Sequence, residues 1–91
     1  MNELDRDAVR TETVTRLVDL AIANAVRGIR VGMAVEDLVG ASGADVTLLR
    51  EAAEAAGRLV ETSPNDRLVV AVLHLRAAHQ YLGDRVSAVT G

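Results

Sequence analysis

Leu68, Val72, Leu75, His79, Leu82, Val86 and Val89 fall at alternating steps of four and three residues, the spacing of a helix seam built to meet another helix. The run Leu68-Val69-Val70-Ala71-Val72-Leu73 adds apolar residues on the remaining faces. A helix that is hydrophobic nearly all round belongs inside a bundle. The pattern therefore predicts a fourth helix from Pro64 to Leu82 or beyond, with Ser63 as its N-cap and Pro64 as its first residue.

Upstream, Val14, Leu17, Val18, Ala21, Ile22, Ala25, Val26 and Ile29 form a wide apolar stripe that predicts a long first helix over 4–31, stopped by Gly32. Glu12 and Arg16 are ordered for an i,i+4 pair on its wet side. Ala21, Ala25, Gly28 and Gly32 give one edge small enough for close packing. Ala34 to Ala41 reads as a short helix or turn. Residues 45–61 read as a third helix capped by Ser42 or Asp45, with Arg50–Glu54 and Glu54–Arg58 as exposed i,i+4 pairs. No strand alternation is present. The prediction is an all-α single domain over 1–91, a compact bundle of about four helices, two long and two short.

Composition changes this picture in one respect. Nearly half of the 91 residues are hydrophobic, yet there is no Phe or Trp and Tyr81 is the sole tyrosine. A core of Ala, Val, Leu and Ile supplies less apolar area per residue than one with aromatics. The seam is accordingly expected to be completed by a symmetry mate, with Leu68, Val72, Leu75, His79, Tyr81 and Leu82 at the interface of a homodimer or against another helical protein.

The absence of cysteine excludes disulfides, thiolate metal sites and a cysteine nucleophile. The acidic N-terminus does not fit a secretory signal, and Leu17 to Val26 is too short and too polar to span a bilayer. These features predict a soluble cytoplasmic protein without membrane contact. All ten basic residues are arginine, which with the abundant Ala, Val and Gly points to a GC-rich bacterial genome. A net charge of −3 gives no general attraction to nucleic acid.

Candidate chemistry is sparse. His79 occupies a seam position otherwise held by Leu and Val, where an imidazole could set register or sense pH. A partly buried histidine with one satisfied hydrogen bond is the simpler expectation. His74 lies five residues earlier on another side, a spacing unsuited to shared metal ligation. Asn24 borders the first stripe and is expected to be partly exposed. No catalytic constellation, cofactor site or metal site emerges, so the expectation is a non-enzymatic protein.

Two segments resemble known families. In Val35 to Arg50, Leu38 and Val39, Gly43, and Leu48 and Leu49 hold the places of the first-helix apolar pair, turn glycine and second-helix anchors. This stretch resembles the helix-turn-helix of small bacterial transcriptional regulators. The resemblance implies a dimeric DNA-binding regulator, with Arg27, Arg30 and Arg50 on the DNA. The segment departs from that family in its charge: residues 34–62 hold six acids against Arg50 and Arg58. Asp45, Val46 and Thr47 also offer nothing suited to base edges. Ala53 to Ala88, in its order of alanines with Pro64, Gly83-Asp84 and Ala88, is similar to a tetratricopeptide junction. It lacks the bulky first-helix residue and supports an antiparallel helical hairpin instead.

The leading functional expectation is a protein-interaction or regulatory module acting through helix–helix contacts. The alternatives are the DNA-binding regulator and a structural subunit of a larger, phage-type assembly.

Overall fold

The computed structural model describes residues 3–90, with side chains described for residues 6–88. Four helices follow one another: α1 (Glu3–Arg27), α2 (Val31–Ala41), α3 (Val46–Thr62) and α4 (Asp66–Thr90). The all-α bundle of two long and two shorter helices is what the apolar periodicity predicts.

The first two helices stop in the same way, and each stop has a glycine at its centre. Gly28 adopts φ +69°, a left-handed conformation that costs glycine little. Its N–H donates to Ala25 O at 3.2 Å, and Ile29 N–H donates to Asn24 O at 3.0 Å. That pair of bonds is the Schellman closure, and it satisfies carbonyls the helix would leave orphaned. Helix α1 therefore ends at Arg27, short of the expected boundary before Gly32, and Gly32 belongs to α2 instead. At the end of α2, Gly43 (φ +66°) donates to Gly40 O at 3.2 Å and Ala44 donates to Val39 O at 3.1 Å.

Asp45 then starts α3. Its carboxylate accepts from Thr47 N at 2.9 Å and Leu48 N at 3.2 Å, pairing two of the four free amides of the first turn. Asp45→Ala should cost about 1 kcal/mol, read as a lower urea midpoint with an unchanged slope. The start of α4 differs from the expected Ser63-Pro64 cap. Asn65 Oδ1 accepts from Arg67 N at 2.9 Å and Leu68 N at 3.4 Å, so Asn65 is the cap and Pro64 lies outside the helix. Ser63 instead closes α3, its N–H donating to Leu59 O at 2.8 Å.

Helices α1 and α3 run in the same direction. Arg10 grips Glu51 near their starts, and Val14 and Val18 adjoin Ala55 and Leu59 further along. Helix α4 runs antiparallel to α3 and packs against all three other helices, whereas α2 and α3 make little contact with each other. The core centres on one fully buried leucine from each helix: Leu17, Leu38, Leu49 and Leu75. Alanines 21, 52, 56, 71 and 78 fill the space between them, so the backbones sit close without aromatic side chains.

This packing corrects the expectation for the seam. Val72, Leu75 and Leu82 are buried by the chain's own α1, α2 and α3, so a symmetry mate is not what covers them. Leu68 and His79 are half-buried, and Tyr81 and Val86 are exposed. Val89 lies outside the described side chains.

Candidate interaction surface

Where α3 and α4 lie antiparallel, they leave an open groove of about 620 Å³ along the surface. Its apolar floor comes from Ala53, Gly57 and Val60 on α3 and from Val69 and Val72 on α4. Leu73 stands on its edge with 55% of its surface exposed. Ala53 and Gly57 keep the α3 side of this floor low, and a Cβ added at Gly57 would meet nothing within 4 Å.

Charges of both signs surround the floor. Arg50, Arg58 and Arg76 line the groove together with Glu54 and Glu61. Among the described residues, the ion pairs within 4.0 Å are Arg10–Glu51 and Arg16–Glu12. The expected Glu12–Arg16 pair forms, with Arg16 Nη2 to Glu12 Oε1 at 2.9 Å. The expected Arg50–Glu54 and Glu54–Arg58 pairs do not, so all five groove charges lack an ionic partner among the described residues. Arg10 by contrast holds Glu51 with two hydrogen bonds, one of them Nε to Oε2 at 2.8 Å. That hydrogen bonding, aided by the guanidinium's charge, holds the Glu51 carboxyl below its ordinary range.

The structure brings His79 into this groove opposite Arg50, half-buried rather than sealed in the seam. The buried histidine is His74, at 6% exposure, and its Nδ1 is enclosed with no hydrogen-bond partner among the described residues. Burial pushes its pKa below the ordinary value. The seam periodicity points to the other histidine. The signal for His74 is the unbroken apolar run 68–73 immediately before it, which implies neighbours on more than one side of α4.

Other sites singled out in the sequence are dispersed. Tyr81 lies outside the groove and is paired within α4: Arg85 Nη1 donates to its hydroxyl at 3.1 Å, with the guanidinium carbon 5.6 Å from the ring centroid. Asn24 is buried, contrary to the expected partial exposure, and its Nδ2 donates to Asp37 Oδ2 at 3.4 Å. This bond ties α1 to α2.

Arg27, Arg30 and Arg50 are all exposed. Arg27 and Arg30 bracket the α1–α2 connection, whereas Arg50 lies beside Glu51, the partner of Arg10. The α1 segment from Arg10 to Arg27 spans roughly 25 Å, so Arg50 stands at the far end of α1 from the other two. Residues 35–50 comprise the end of α2, the turn at 42–45 and the first turn of α3, with Leu38 and Leu49 buried.

Among the described residues, no group of three or more His, Asp or Glu side chains could hold a metal ion. No helix among them is long and apolar enough to cross a membrane. No protein-family model matches the chain, and neither a curated protein nor a solved structure is detectably similar to it.

Proposed function

We propose that this chain is a non-enzymatic interaction module that presents its α3–α4 face to a helical partner. The carrying observation is Leu73, a largely exposed leucine at the edge of an apolar groove whose charged rim is unpaired among the described residues. Full burial of such a leucine yields about 1.5–3 kcal/mol, and Ala53 and Gly57 let another backbone approach closely. The rim charges would add register and selectivity more than affinity. Catalysis is disfavoured by the lining itself, which pairs His79 with arginines and offers it no hydroxyl or thiol nucleophile.

Replacing Leu73 with the photo-crosslinker benzoylphenylalanine, in the cells that make the protein, tests the proposal. A covalent adduct is expected at position 73 and not with the same probe at Val26, which is similarly exposed outside the groove. Irradiation that leaves the chain unmodified at both positions would refute an interaction role for this face. Duplex DNA is the control ligand: no salt-sensitive retention is expected, because Glu54 and Glu61 stand among the groove's arginines.

A further inference from the structure

We infer that the α3–α4 face joins two copies of this chain about a twofold axis, with the two α3 helices antiparallel. The inference rests on reading this face as an interaction surface, and it names the occupant.

The charge order on α3 selects that arrangement. At 100° per residue, Arg50, Glu54, Gly57 and Glu61 fall within an arc of about 60°, and Arg58 stands about 40° beyond Glu54. Two such helices can be laid antiparallel with the axis beside Ala55 and Ala56. Arg50 then faces Glu61 of the partner subunit, and Glu54 faces the partner's Arg58. Twofold symmetry doubles each contact, giving four ion pairs from residues that have none among the described residues of one chain.

Neighbouring registers fail on the same residues. Sliding by one turn in one direction sets Glu54 against the partner's Glu61, and in the other direction sets Arg50 against the partner's Arg58. A parallel arrangement sets every charge against its own copy. Like charges so placed are destabilising.

The apolar residues agree with this register. Because α4 lies antiparallel beside α3, and Gly57, Val72 and Leu73 line the same groove, an axis across the face at the level of Ala55 and Ala56 also crosses α4 in the region of Leu73. Leu73 then meets its own mate, flanked by Val69, while the unfilled space over Gly57 accommodates the approach. A nucleic acid or a purely acidic peptide would instead leave Glu54 and Glu61 facing like charge. A second copy carries the same mixed set.

The contact is small. From Arg50 to Glu61 is about 17 Å of helix, so the face is two helices wide and falls below the roughly 800 Å² per partner of a standard interface. The dimer is therefore reversible on dilution.

Light scattering on the full chain, over a thousandfold range of concentration, reads this directly. The mass should rise from 9.6 kDa toward twice that value. Glu54→Arg should weaken the dimer about tenfold by making two attractive contacts repulsive, and Glu54→Arg with Arg58→Glu should restore it. These positions are exposed, so circular dichroism should show the fold unchanged.

The cysteine-free chain also allows the register to be trapped. Mixed Arg50→Cys and Glu61→Cys proteins should oxidise to a crosslinked pair, and neither alone should, since a disulfide needs Cα atoms within about 7 Å. A monomer at every concentration to about 1 mM overturns the second copy as occupant. A crosslink of position 50 to itself, or a dimer indifferent to Glu54→Arg, overturns the register. A monomer that still forms an adduct with another protein at position 73 would leave the interaction role standing and remove only the second copy.

Discussion

Leu75→Ala is expected to lower the unfolding free energy by about 2–5 kcal/mol, the range for truncating a fully enclosed leucine. Leu75 has 0% of its surface exposed and belongs to the helix that all three others contact. Its core has little capacity to refill the space. Alanines supply much of the packing between the four central leucines, and an alanine has no rotamer by which to collapse into a void. A chain of this length has a total stability of roughly 5–14 kcal/mol, so the loss is a large share of the whole. Urea titration of the variant against the parent measures it, with Leu73→Ala as the exposed counterpart on the same helix. Leu73→Ala should change stability by no more than about 0.5 kcal/mol. Equal losses at both positions would show that the burial pattern along α4 is misassigned.

That contrast also shows how far the sequence can be read. The four-and-three spacing from Leu68 to Leu82 identifies a helix face that is buried, because any neighbouring helix imposes the same period. It does not identify whose helix lies opposite. The seam pattern predicts a dimer covering Val72, Leu75 and Leu82, yet α1, α2 and α3 do so. The apolar run 68–73 carries the better information, since a helix greasy on several sides is one surrounded by several partners.

The boundaries are less legible, for local reasons. Gly28 and Gly32 both satisfy a helix-stop pattern, and the choice depends on which can take positive φ while its own N–H and its neighbour's reach Ala25 and Asn24. Ser63-Pro64 resembles a helix start, but Asn65 offers a side chain that reaches two amides at once.

The groove is visible in the sequence only as separate residues. Arg50, Glu54, Arg58 and Glu61 look like a solvated, self-paired face when the helix is considered alone. Their significance arises when α4 brings Val69, Val72 and Leu73 alongside, which is a tertiary fact with no local signature. The two histidines mislead in the same way. Relative to Leu75, His79 is about 40° round the helix and His74 about 100°, so a single-seam reading favours His79. Because three helices surround α4, the buried arc is wide enough to enclose His74.

His74 should therefore make the fold sensitive to mild acid. Its imidazole is buried with Nδ1 unpaired among the described residues, and burial disfavours the charged form, holding its folded pKa below the ordinary 6.5. The unfolded chain consequently binds the proton more readily than the native one. His74's contribution to stability is full above about pH 6.5 and falls as the pH drops through the folded-state value. Glu51 acts in a separate window: held below its ordinary 4.5 by Arg10, it adds stability above that pH and loses it only in stronger acid. Urea unfolding at intervals from about pH 7.5 to pH 5 should show falling stability in the parent, and His74→Leu should flatten that slope. At neutral pH the same substitution should raise stability by about 1 kcal/mol, because it replaces a buried polar atom that has no partner among the described residues with apolar surface. A slope that persists unchanged in His74→Leu would assign the acid sensitivity to another group and would mean that the imidazole is hydrogen-bonded in solution.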